Sequence, residues 1–161
     1  MTARRLAMVQ FAFATGILAY WGAFFGLGAG AFAGAVDARA FLAFESSFPV
    51  PDGCLALALV ASGALLLRGD QRGIALTLVT SGALLFLGAV DLSFNLSQGA
   101  FSGDATHAAV SALVNATCIG GGASMALAAN RASRNRATWC MSDPHWGRIR
   151  CHVSRRLHHS S

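Results

Sequence analysis

The chain has 161 residues, 55% of them hydrophobic and only 12% charged. A soluble domain carries about 25% charged residues, so this composition cannot dress a water-facing surface and suits a chain whose solvent is hydrocarbon. The net charge of +5 comes from 12 Arg, with no Lys, against 7 acids; these Arg flank apolar runs or lie in the C-terminal stretch, which argues against the clustered basic face of a nucleic-acid binder.

A hydrocarbon core about 30 Å thick takes about 20 apolar residues at about 1.5 Å rise each. Four stretches meet that length. The expected fold is all-α: an integral membrane bundle of four transmembrane helices with a short interfacial helix in the first outer loop. Residues 1–131 form the transmembrane domain, with spans at about 6–36, 50–68, 72–96 and 105–130, and residues 132–161 form a basic, disordered cytoplasmic tail.

Span one is uncharged from Leu6 to Val36. It is longer than one crossing needs, so it is expected to tilt or protrude. It is also far longer than the apolar core of a signal peptide, and is expected to stay uncleaved. Gly22, Gly26, Gly30 and Gly34 make three overlapping GxxxG steps. In lipid, helices associate through close backbone approach at small residues. This ridge is expected to seat another helix, of the same subunit, of a homo-oligomer or of a membrane partner.

The first outer loop, Asp37 to Asp52, places Phe41, Phe44 and Phe48 at helical spacing beside Leu42. This predicts a short amphipathic helix in the interface, read as a re-entry turn or as a lid over an outer pocket. Pro49 and Pro51 suit the first turn of span two, where Asp52 complements the helix dipole. Ala56 to Leu67 matches Ala75 to Phe86 at nine of twelve positions. Inverted repeats build transporters, but both segments are rich in Ala and Leu, and coincidence explains the match better.

Span three carries Thr77, Ser81, Gly88, Asp91 and Asn95, and span four carries His107, Ser111, Asn115, Cys118 and Gly122. Both series keep to one helical face. Gly120, Gly121 and Gly122 also allow close approach or a kink. The helix rise puts Asp91 about 28 Å beyond Arg72, at the outer interface, level with His107. Glu45, Asp91, Asn95 and His107 are therefore the candidate polar cluster, able to bind a proton, a cation or a lipid headgroup. An ionisable residue at membrane depth is costly and marks function by default.

After Arg131 the chain turns polar, with Trp139, Trp146, Cys140, Cys151 and four His. No CxxC or HxxxH pair anchors a zinc site there, and contact with anionic lipid is expected instead. The four Cys form no disulfide framework. No catalytic, cofactor or metal motif is found. Span one lacks the acid of small multidrug exporters, the chain lacks the paired membrane His of b-type cytochromes, and Thr80-Ser81-Gly82 is no GxSG serine.

Eleven of the 12 Arg fall before span one, between spans two and three, or after span four, whereas five of the 7 acids fall in or beside the other two loops. The enrichment of cytoplasmic flanks in Arg then predicts an inner membrane protein with both termini cytoplasmic. The absence of Lys points to a GC-rich bacterial genome. The expected role is a non-enzymatic structural or accessory subunit. The alternatives are a small transporter or channel using the outer cluster, and a lipid- or quinone-directed membrane enzyme.

Overall fold

A computed structural model of the chain describes residues 2–28, 37–102 and 105–141, except for the side chains of 107 and 135–141. They form five helices: α1 (Ala3–Leu27), α2 (Ala38–Glu45), α3 (Pro49–Leu67), α4 (Arg72–Ser97) and α5 (Ala105–Met141). Four of these, α2 excepted, are long and apolar enough to cross a membrane. Their outer surfaces are apolar too: Phe25, Leu57, Phe86 and Leu113 are each at least two-thirds exposed. A soluble monomer rarely displays such a surface. The protein is a multi-pass membrane protein, an all-α bundle with a short helix at one end.

The helices alternate in direction. Neighbours pack in the order α1–α3, α3–α4 and α4–α5. The start of α1, the α3–α4 turn and the end of α5 share one end, which carries Arg4, Arg5, Arg68, Arg72, Arg131 and Arg134. The α2 end holds the other two connections. The α3–α4 turn is tight because Gly69 adopts φ 73, a left-handed conformation that costs glycine little. The Asp70 N–H then donates to the Leu65 carbonyl at 3.0 Å, closing the helix end.

Two boundaries differ from expectation. Helix α1 ends at Leu27, where span one was expected to reach Val36, because Gly28 takes φ 84 and its N–H closes on the Phe24 carbonyl. Gly30 and Gly34 fall in residues 29–36, outside the described residues. At the other terminus α5 runs helical to Met141, past the expected end near Asn130. Residues 131–141 hold Arg, Ala and Asn but no Gly or Pro, so helix propensity carries on after the hydropathy has fallen.

Small residues set the spacing of the bundle. A Cβ at Gly63 would meet the Phe11 ring at 3.0 Å, one at Gly73 the Leu66 backbone N at 2.8 Å, and one at Gly88 the Ile119 side chain at 2.7 Å. Gly122 faces the Ser81 carbonyl, and Gly121 faces the Phe13 ring. The ridge on α1 behaves otherwise: Gly22 and Gly26 have nothing within 4 Å of where a Cβ would stand. Among the described residues they seat no helix.

A polar knot holds α1, α3 and α4 together towards the end that carries the α3–α4 turn. Gln10 Nε2 donates to Thr77 Oγ1 at 2.8 Å, Ser62 Oγ lies 3.0 Å from the same oxygen, and Thr77 Oγ1 donates to the Gly73 carbonyl at 2.6 Å. Polar side chains between membrane helices find such partners because lipid offers none. The two copies of the internal match behave differently here. Gly63 packs on Phe11 while its counterpart Gly82 is open, in keeping with a coincidental likeness.

Candidate functional site

The α2 end contains a cavity of about 520 Å³. Its walls are α1 (Phe13, Gly16, Ile17, Tyr20) and α5 (Val110, Ser111, Val114, Cys118). Leu84, Leu87, Asp91 and Asn95 of α4 back it, and Phe41, Phe44, Glu45 and Phe48 of the α2 region cover it. Val110, Leu113 and Val114 line it and are still 43–67% exposed, so it opens sideways between α1 and α5.

Each polar group at its end arrives on a different element. Asp91 lies near the end of α4, and Asn95 one turn later donates to it through Nδ2 at 3.2 Å. Asn115 of α5 reaches the same carboxyl group. Its Nδ2 also donates to the Ser111 carbonyl at 2.9 Å, whereas its Oδ1 is buried with no partner among the described residues. Glu45 ends α2, and its Oε2 accepts from the Tyr20 hydroxyl at 3.0 Å. Asp52, in the first turn of α3, accepts from Trp21 Nε1 at 3.0 Å. These two bonds tie the end of α1 to α2 and α3.

Rings fill the space around these bonds. Trp21, Phe24, Phe41 and Ala100 make a second small core. Tyr20 and Trp21 meet edge to face at 5.3 Å, and Phe44 stacks on Phe94 with centroids 3.9 Å apart. The stack holds α2 against α4. Glu45 is enclosed at this junction, outside the four spans, and only 9% exposed. Burial pushes its carboxyl up to about 7; the Tyr20 bond pulls the other way, and the Asp91 and Asp52 charges add to the rise.

Glu45, Asp91 and Asn95 thus line one cavity. The fourth candidate, His107, has its side chain outside the described residues. Tyr20, Trp21, Asp52 and Asn115 complete the cluster. Asp52 complements the helix dipole and also takes the indole N–H of Trp21. The signal for Tyr20 and Trp21 lay in their chemistry: a phenol O–H and an indole N–H inside an apolar run need acceptors. Among the described residues no three of His, Cys, Asp and Glu stand close enough to hold a metal ion. Cys54 and Cys118 are free thiols.

No known protein family, curated protein or solved structure matches this chain. The geometry of the cavity therefore guides the functional reading.

Proposed function

We propose that this is a small non-enzymatic protein of a bacterial inner membrane that binds an amphiphilic molecule from the bilayer and serves as its carrier. Both termini lie in the cytoplasm and α2 lies on the outer face, a placement supported by the distribution of Arg. This is the transport alternative, and one observation carries it. A cavity of about 520 Å³ has apolar walls, a polar end and a side opening between two lipid-facing helices. Binding sites are concave, mostly apolar and equipped with a few convergent polar groups, and this cavity has each property.

The test is native mass spectrometry from a mild neutral detergent. Gly16 lines the cavity and has nothing within 4 Å of where its Cβ would stand. Gly16→Leu therefore puts a side chain into the space with no clash at its Cβ. Gly82 is equally unobstructed but does not line the cavity, so Gly82→Leu is the control. The native chain and Gly82→Leu should retain a small molecule that Gly16→Leu has lost. Equal occupancy in all three, or none in any, overturns the reading.

The structural-subunit reading keeps one supporting observation, the outward face of Gly22 and Gly26, which another chain can approach. Crosslinking that is lost in Gly26→Leu and retained in Gly16→Leu would favour it.

A further inference from the structure

We propose that the cavity selects an amphiphilic monocation, a lipophilic ammonium or phosphonium, and seats its charge among Glu45, Asp52 and Asp91. This rests on the binding reading above and names its ligand class.

The first argument is charge complementarity. Three carboxyl groups from three elements line this end of the cavity, and no basic side chain does so among the described residues. Carboxylates removed from water need a partner or a proton, and a cation in the cavity supplies the partner.

The second argument is the hydrogen-bond inventory. The Tyr20 hydroxyl donates to Glu45, the Trp21 N–H to Asp52, and the Asn95 amide to Asp91. These donors are already engaged on the carboxyl groups. Acceptor capacity remains on the carboxyl oxygens themselves, which hold more lone pairs than these donors engage. A guest must bring positive charge or N–H groups rather than accept them.

The third argument is size. The three carboxyl groups come from three separate elements, and no set among the described residues can hold a metal ion. An ion that satisfies all three is large and diffuse. Aromatic rings suit such a cation because their faces are negative, and Tyr20, Phe41, Phe44 and Phe48 line the same end. Further down the cavity, Phe13, Ile17, Leu84, Leu87 and Val114 fit its apolar body. The side opening admits it from lipid.

Tetraphenylphosphonium and tetraphenylborate have nearly the same shape and opposite charge. Equilibrium dialysis of the full chain in neutral detergent at pH 8, with protein-free micelles subtracted, measures both. Tetraphenylphosphonium should bind saturably and tetraphenylborate should not. Glu45→Gln and Asp91→Asn should each weaken binding about tenfold, the equivalent of about 1.4 kcal/mol. Gly16→Leu, which leaves every acid in place, should abolish it, so the test does not depend on the acid variants folding. Equal binding of the two probes, both lost in Gly16→Leu, overturns the cation assignment and leaves the binding reading standing. Saturable binding that ignores Gly16→Leu, or no binding of either probe, also overturns the assignment; the mass-spectrometric experiment judges the binding reading separately.

Discussion

The α4–α5 interface offers a quantitative test of the bundle's spacing. A Cβ on Gly122 would stand 2.9 Å from the Ser81 carbonyl oxygen, 3.0 Å from Leu85 Cγ and 3.2 Å from the Leu85 N. Two of these neighbours are backbone atoms and cannot rotate away. Gly122→Ala must therefore part the helices by about 0.5 Å, and gaps of that order forfeit a quarter or more of each contact's attraction. Overpacking of this kind costs about 1–3 kcal/mol. Replacing glycine by alanine within a helix returns about 1 kcal/mol, which obscures the effect in a single variant. Gly120, two residues away on the same helix, has nothing within 4 Å. Gly120→Ala receives the same backbone gain without the clash, so the difference between the variants isolates the packing. We expect Gly122→Ala to be the less stable by about 1–3 kcal/mol. Reversible unfolding in mixed micelles of increasing dodecyl sulfate content, followed by circular dichroism, measures it. A difference below about 0.5 kcal/mol, the usual range for surface substitutions, would refute the close approach of α4 and α5.

Further expectations concern the α2 end. Asp52→Ala leaves the Trp21 N–H without its acceptor in a residue only 7% exposed, and should cost about 1–3 kcal/mol. Asp52→Asn keeps an acceptor oxygen and most of the stability; in a background with Trp139→Phe and Trp146→Phe, Trp21 emission should shift in the first variant and hold in the second. Glu45, at about 7, gives two pH effects of opposite sign. Its proton is held more tightly in the folded chain than in the unfolded one, so its contribution to stability is full below the ordinary carboxylate range and is lost as pH rises through 7. Affinity for tetraphenylphosphonium should run the other way, falling as pH drops through 7 and the Glu45 charge disappears. The titratable groups that act on Glu45 are Tyr20 from α1, Asp52 from α3 and Asp91 from α4. From α5 the cavity receives the Cys118 thiol, and Asp37 and Arg39 of the α2 segment are exposed. Resistance to dodecyl sulfate and probe affinity, both measured from pH 5.5 to 8.5, should cross; Glu45→Gln should flatten both curves, and parallel curves would remove Glu45 as their cause.

The number of spans was legible because the thickness of hydrocarbon dictates it. The faces of α4 and α5 were legible because burial follows the helical period: Thr77, Ser81, Asn95, Ser111 and Asn115 all point inward. The end of α1 was hidden, because hydropathy does not register a positive φ at Gly28. Individual acids could be read as candidates, but their partners could not. Which acceptor takes the Trp21 N–H depends on how α1 and α3 align across the bundle, and residue spacing along one helix carries no such information. The glycine pattern of α1 shows the same limit. GxxxG spacing says that a helix can be approached closely, and at Gly22 and Gly26 no helix among the described residues does so.

The location of the cavity follows from where the small residues lie. Closely packed glycines serve each of the successive interfaces: Gly63 for α1–α3, Gly73 for α3–α4, and Gly88 with Gly122 for α4–α5. The α1–α5 pair, which would close the ring of helices, has one such contact, Gly121 against Phe13. That contact lies 16 residues into α5, about 24 Å from the start of the helix at the α2 end. Above it no closely packed glycine among the described residues joins the two helices. Gly16, one turn beyond Phe13, leaves the gap unfilled. The wedge that results is widest where α2 folds over it and where Tyr20, Glu45 and Asp91 meet. A bundle pinched on three sides and hinged on the fourth has to leave a space there, and the acids arrive at its rim because three separate helix ends terminate at that level. Phe13 belongs to both the pinch and the cavity floor, so the packing that holds α1 to α5 also sets the depth available to a guest.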